Sequence, residues 1–160
     1  SVFLSAKAII LDLISIGVSF SALVLIFKLG VGTYQLEQIE AWVLILLFAI
    51  LFGLSMDYEI FIVSRIREAR DQGASNEEAI RQGMQSSGTV VIAAALIFIS
   101  AVFGLITGHF AGLQQLGIGL AVGVIVDAII VRGLLLPSAM VLLGKWNWWM
   151  PGNGKTPTLK

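Results

Sequence analysis

The sequence predicts an all-α fold, a polytopic membrane bundle of four transmembrane helices with a short amphipathic cytoplasmic helix between the second and third. Three observations predict it. Hydrophobic residues make up 58% of the 160 residues and charged residues only 12%. The mean hydropathy is +0.95, more apolar surface than a soluble domain of this size can hide. Four apolar stretches also approach or exceed the roughly 20 residues that cross a bilayer. In lipid each span must satisfy its own backbone hydrogen bonds, which leaves the helix as the element.

The spans fall at about 8–27, 41–63, 89–107 and 116–143. The connections differ in charge. The stretch 30–40 and the tight turn 108–112 carry no Lys or Arg, whereas the stretch 65–87 holds Arg65, Arg67, Arg70 and Arg81. Lys7 precedes the first span and Lys145, Lys155 and Lys160 follow the last. The positive-inside rule therefore puts both termini and the 65–87 loop in the cytoplasm of a multi-pass protein of the cell membrane. Lys28, at the outer end of the first span, is the one dissenting charge. Trp146, Trp148 and Trp149 read as an aromatic anchor at the inner interface.

Inside the cytoplasmic loop, Ser75 and Glu78 fit a capping box. A short helix over about 76–85 should follow. The second span should continue to about Asp71, with Gly73 ending it. The tail 151–160 is polar and turn-rich and reads as disordered. The chain opens with Ser1 close to a span and shows no signal-peptide pattern, so it reads as part of a longer protein.

Composition also excludes functions. There is no cysteine, hence no disulfide, thiolate metal site or thiol nucleophile. One histidine, His109, is too few for a histidine metal centre. A formal net charge of zero favours no nucleic-acid partner. No phosphate-binding loop or zinc motif is present. The expectation is no enzyme, no cofactor, and energy taken from an ion gradient.

The chemistry lies in charges within the spans. Asp57 and Tyr58 interrupt the second apolar stretch. A carboxylate at the bilayer centre costs about 2.5–3.5 kcal/mol or more. At 1.5 Å per residue, Asp57 lies about 24 Å in from the outer end of its span, and Arg132 about 24 Å into the fourth. Asp12 on the first span falls close to the same level, Glu59 slightly deeper, and Asp127 nearer the midplane.

Four acids and one base at one level cannot all be charged cheaply, so at least one acid should be protonated at neutral pH. An intramembrane acid beside a phenol, Asp57 with Tyr58, then suggests a protonatable switch. Asp12, Glu59, Asp127 and Arg132 are supporting charges. Asp127 and Arg132 are five residues apart, a poor intrahelical pair, so Arg132 should reach an acid on another span. Gly53 shares the face of Asp57 and should admit a close neighbour. Gly104 with Gly108, and Gly119 with Gly123, fit small-residue packing spacing.

The segment GLSMDYEIFIVSRIRE over 53–68 resembles the signature of the MMPL branch of the resistance–nodulation–division transporters. The stretch DAIIVR over 127–132 and the ending GKWNWWMP over 144–151 resemble that family's last span and its end. The resemblance covers nearly the whole chain. It implies twelve spans in two pseudo-repeated halves, each half with a porter domain outside the membrane. This chain would be the last four spans.

The resemblance further implies that Asp57 and Tyr58 are the proton-relaying pair, and that lipids, hydrophobic molecules or drugs leave in exchange for protons. The partners are then the bilayer, protons, a lipid-like substrate, and the first half and porter domains of the same protein. Two alternatives remain open at this point. One is a lipid- or sterol-sensing or protein-translocation accessory bundle; the other is a scaffold that only assembles with partners.

Overall fold

The computed structural model describes residues 2–29 and 38–144. The tryptophans expected to form an anchor (Trp146, Trp148 and Trp149), Lys145, Lys155, Lys160, the polar tail and most of the 30–40 connection lie outside the described residues. The elements are α1 (Val2–Lys28), α2 (Ala41–Asp71), α3 (Asn76–Ile106), α4 (Ala111–Val126), a π-helical segment (Asp127–Leu135) and α5 (Leu136–Leu143). The last three form one rod, so four helices are long and apolar enough to cross a membrane. That is the architecture the hydropathy pattern predicts.

Two boundaries follow from local chemistry. At the end of α2, Gly73 adopts φ +97°, the left-handed conformation that glycine enters without a Cβ penalty. Its N–H donates to Arg70 O, and the Ala74 N–H donates to Ala69 O. This is the paired-bond termination of a helix known as the Schellman motif. At the start of α3, the Ser75 hydroxyl accepts from the Glu78 N–H at 3.2 Å. The Glu78 carboxylate does not close the other half of the capping box; it accepts from Arg81 and Gln82.

The short helix expected over 76–85 is present, but as the first turns of α3 rather than as a separate element. No proline or turn interrupts the run into the third span. Helices α2 and α3 each have 31 residues, about 46 Å at 1.5 Å per residue. That exceeds a hydrocarbon core of about 30 Å, so both project beyond the bilayer at their shared elbow.

Two apolar cores hold the bundle. One gathers Ile16, Leu23, Val43, Leu47, Leu51 and Val124 in the half away from the elbow. The other gathers Leu11, Ile62, Ile66, Val91, Leu136 and Met140 toward the elbow. Large side chains such as Ile45, Ile97 and Leu142 are exposed, as expected where the surrounding medium is as apolar as the side chains.

Glycine decides how closely α4 approaches its neighbours. A Cβ on Gly119 would meet Leu47 at 2.9 Å, and one on Gly123 would meet Leu51 at 2.5 Å. The Ser19 hydroxyl donates to Gly119 O at 2.8 Å across the same contact. Gly112 and Gly117 are equally cramped, against Trp42 and Ile106, and their spacing does not announce it. Gly53 and Gly104 have no atom within 4 Å of such a Cβ, and Gly108 meets only carbonyls of its own turn. Among the described residues these three therefore have no neighbouring helix to admit, in contrast to the packing expected of them. Gly53 and Gly104 lie on exposed faces of α2 and α3, and Gly108 lies in the turn between α3 and α4.

Candidate functional site: a buried charged layer beside an open face

Between the two apolar cores lies a polar layer built by three elements. Asp12 comes from α1, Ser55 from α2, and Asp127 and Arg132 from the π segment. All four are buried: Asp12 is 1% exposed, Arg132 2%, Ser55 4% and Asp127 6%. Arg132 Nε donates to Asp127 Oδ2 at 2.8 Å. Its Nη2 donates to the Ser55 backbone oxygen and, at 2.5 Å, to the Ser55 hydroxyl. Asp12 Oδ1 lies 3.9 Å from the same Nη2. The Ser55 hydroxyl is also within hydrogen-bonding reach of Asp12 Oδ1 and, at 3.0 Å, of Asp127 Oδ1.

The expectation for Arg132 holds in part, since Arg132 pairs with Asp12 on α1 at 3.9 Å. It does reach across the bundle, to Ser55 and toward Asp12, but its shortest ion pair is with Asp127, five residues earlier on its own chain. The reason is the π-helical turn. Its i→i+5 bonding makes a turn wider than 3.6 residues, which brings positions five apart onto one face. Pro137, two residues past the end of the segment, lacks the N–H that would continue regular α-bonding.

The predicted acids separate into three settings. Asp12 and Asp127 join the layer around Arg132. Glu59 is buried, one helical turn nearer the elbow than Ser55, and Lys7 is the cation whose field acts on it most strongly. Asp57 is exposed on the opposite side of α2, along the same stripe as exposed Gly53. Tyr58 is half-buried between these settings, with the Arg132 guanidinium 5.6 Å from its ring centroid, within the range of a cation–π contact. The two members of the predicted relay thus face differently: Tyr58 touches the charged layer and Asp57 does not.

Two participants escape sequence reasoning. Ser55 is the central bridge, yet a serine in an apolar run normally bonds its own helix, as Ser100 does to Leu96 O. Lys7 reads as an interfacial cation, but it is 9% exposed, and among the described residues its ammonium is buried without a hydrogen-bond partner.

Chemically, the layer holds two carboxylates against one guanidinium. One hydroxyl proton on Ser55 serves two carboxylate oxygens and can be donated to only one at a time. Among the described residues Asp12 Oδ2 has no hydrogen-bond partner. This is the excess of acid over base that a gained proton would relieve.

Comparison with known proteins identifies the family. Residues 1–158 match the family model described as the MMPL family. A membrane protein of Streptomyces coelicolor is 41% identical over 157 residues, covering 94% of this chain and 22% of that protein. The heme uptake protein MmpL11 of Mycobacterium tuberculosis is 37% identical over 155 residues, covering 94% of this chain and 16% of that protein. The trehalose monomycolate exporter MmpL3 of the same organism is 38% identical, with the same two coverages. The chain thus spans 16–22% of the length of these relatives. With its family model matched almost end to end, the chain belongs to the MMPL family.

Proposed function

We propose that this chain is the C-terminal transmembrane part of an exporter of lipids or other hydrophobic molecules, driven by the proton-motive force, with Asp57 and Tyr58 as the proton relay. The observation that carries the reading is the position of Asp57. It is an exposed acid at membrane depth on α2, and its neighbour Tyr58 lies against the buried Arg132. An ionised carboxylate facing hydrocarbon is costly. Protonation removes that cost, so the charge of Asp57 is coupled to what covers its face.

The relatives support the division of labour. Two of them are named for different cargoes, heme for one and trehalose monomycolate for the other, yet this segment resembles both to nearly the same degree. A segment common to both suits the coupling machinery better than cargo selection. In this reading the termini and the α2–α3 elbow are cytoplasmic, and the rest of the longer protein supplies the porter domains and the cover for Asp57. Proton binding at Asp57 shifts the field at Tyr58 and Arg132. The Arg132 bonds to Asp127 and Ser55 then transmit the change to α1, α2 and the rod that contains α4. A potential of 100 mV supplies about 2.3 kcal/mol per charge moved.

The test is efflux of a fluorescent hydrophobic substrate by the full-length protein, with and without Asp57→Asn, at matched expression. Abolished efflux in an assembled protein is the expected result. Efflux that persists under a proton gradient would sink the relay and leave the lipid-sensing or scaffold reading.

A further inference from the structure

A slot of about 340 Å³ opens between α1 and α2 on the elbow side of the charged layer. Its wall includes Ala8 and Ile9 of α1 and Met56, Ile60 and Val63 of α2. The polar groups beside it offer the space little. The Ser64 hydroxyl donates to Phe61 O at 2.8 Å. Glu59 borders the slot but is only 7% exposed, so almost none of its surface faces it. Water in the slot would find few partners, and an apolar cavity stays dry. The volume falls in the range of ligand pockets, about 300–1,000 Å³. Hydrocarbon is what such a wall fits.

The slot also has a direction. On α2 it runs from Met56 to Arg67, about 16 Å at 1.5 Å per residue. Counted from Ala41, Met56 lies about 22 Å along the helix and Arg67 about 39 Å. The first falls inside a hydrocarbon core about 30 Å thick, and the second falls beyond it, at headgroup level. The lining thus changes from apolar to cationic where a phospholipid changes from chain to phosphate. The Arg67 guanidinium is weakly engaged: Asp71 lies 3.9 Å from its Nε, and the side chain is 61% exposed. Arg65 is held more closely, by Glu68 at 3.0 Å and over the Phe61 ring, and it does not line the slot. A guanidinium presents a fork of donors that fits a phosphate with two bonds. Basic pockets between transmembrane helices bind anionic headgroups in this way.

We propose that the slot holds one acyl chain of an anionic phospholipid from the elbow-side leaflet, with the Arg67 guanidinium on its phosphate. The lipid is a resident of the bilayer, not cargo. Its phosphate fixes it at the elbow end, and its chain fills the gap that the side chains of α1 and α2 leave. Charge complementarity singles out this occupant, because a purely apolar helix laid over the slot would cover the wall but give Arg67 no counter-charge. The occupant moves no proton, so the slot and the Asp57–Tyr58 relay stand or fall separately.

The experiment uses the full-length protein in phosphatidylcholine vesicles that contain a trace of phosphatidylglycerol with a photoreactive diazirine in one acyl chain. After illumination, the labelled residues are mapped by peptide mass spectrometry. Labelling is expected on α2 between Met56 and Val63, and on Ala8 and Ile9 of α1. Arg67→Gln, at an exposed position, is expected to lower it about fivefold, the equivalent of roughly 1 kcal/mol per arginine at a membrane surface. Arg65→Gln is expected to leave it nearly unchanged. Val63→Trp, which fills the slot, is expected to abolish it. The same diazirine chain on phosphatidylcholine, which has a phosphate but no net charge, is expected to label the slot weakly.

An unlabelled slot in the wild-type protein means that another element covers it, and overturns the proposal. Equal labelling by the two phospholipids overturns the anionic headgroup. Equal losses in Arg67→Gln and Arg65→Gln reduce the effect to general attraction by the basic elbow, and overturn the seat on Arg67. A diacylglycerol probe with the same chains and no phosphate is expected to label poorly. If it labels as strongly as phosphatidylglycerol, the slot takes any hydrocarbon, cargo included, and the resident phospholipid is overturned. Should Val63→Trp fail to fold, Arg67→Gln, which lies outside both apolar cores, still decides the outcome.

Discussion

Two carboxylates two residues apart on α2 meet opposite surroundings. Glu59 is buried among charges from α1 and the π segment, while Asp57 is exposed beside Gly53, where a Cβ would find open space. Depth in the membrane does not distinguish them, since two helical steps are only about 3 Å. The face of the helix does: two residues turn the chain by about 200°. One face of α2 is closed by this chain's own helices. The other is an acid-bearing surface at membrane depth that nothing among the described residues covers. A buried charge is stabilised by its partners, whereas an uncovered one is a demand for something else.

The sharpest way to break this contrast is at the closed face. Arg132→Leu leaves Asp12 and Asp127 facing each other without their cation. Removing one partner of a buried ionic group costs about 3–5 kcal/mol. Thermal unfolding of the purified full-length protein is expected to show that loss. Arg65→Leu, which removes an exposed pair with Glu68, is expected to cost under about 1 kcal/mol. Equal effects would mean that the charged layer is not a stabilising unit.

Next comes the packing that holds α4 against the closed face. Gly123→Ala forces a methyl group against Leu51, and overpacking of this kind costs about 1–3 kcal/mol. The same unfolding measurement checks it. A neutral Gly123→Ala would show that Leu51 yields freely, and that α2 and α4 are less tightly apposed than the 2.5 Å approach implies.

Ser55→Ala probes the bridge within the layer. The Ser55 carbonyl still accepts from Arg132, but Asp12 and Asp127 lose their shared hydroxyl. A buried acceptor left unpaired costs about 1–3 kcal/mol. The expected loss lies at the low end of that range, because Arg132 stays close to both acids. The double substitution with Asp12→Asn should cost less than the sum of the singles.

What the sequence revealed and what it hid have physical causes. Span number follows from composition, which hardly depends on tertiary context. The left-handed Gly73 and the Ser75 cap are local backbone chemistry and were legible for that reason. Rise per residue placed Asp12 and Arg132 at one level, and they do approach each other. Azimuth was harder. It rests on a 3.6-residue period, and the π segment departs from that period where Asp127 and Arg132 sit. Pro137 was a signal for the departure, but not for its extent. Gly119 and Gly123 pack, while Gly53 and Gly104 do not among the described residues, because small-residue spacing says a helix can be approached, not that one is there. Ser55 and Lys7 were hidden because their roles depend on which helix faces them.

The smallest effect concerns the open face itself. In an uncovered helix, Gly→Ala is favourable by about 0.5–1 kcal/mol, since alanine loses less backbone entropy on ordering. Both Gly53 and Gly104 meet that condition among the described residues. If the open side of α2 is closed in the longer protein by an element that approaches Asp57, Gly53→Ala should forfeit this gain and lower efflux, while Gly104→Ala keeps the gain and leaves efflux alone. The sign of the difference is the readout, and it needs only unfolding temperatures and an efflux assay on the two full-length variants. Matching gains with unchanged efflux would mean that no backbone comes close to α2 there. Asp57 would then face lipid or water rather than a partner helix, and the demand made by its charge would have to be met by solvent alone.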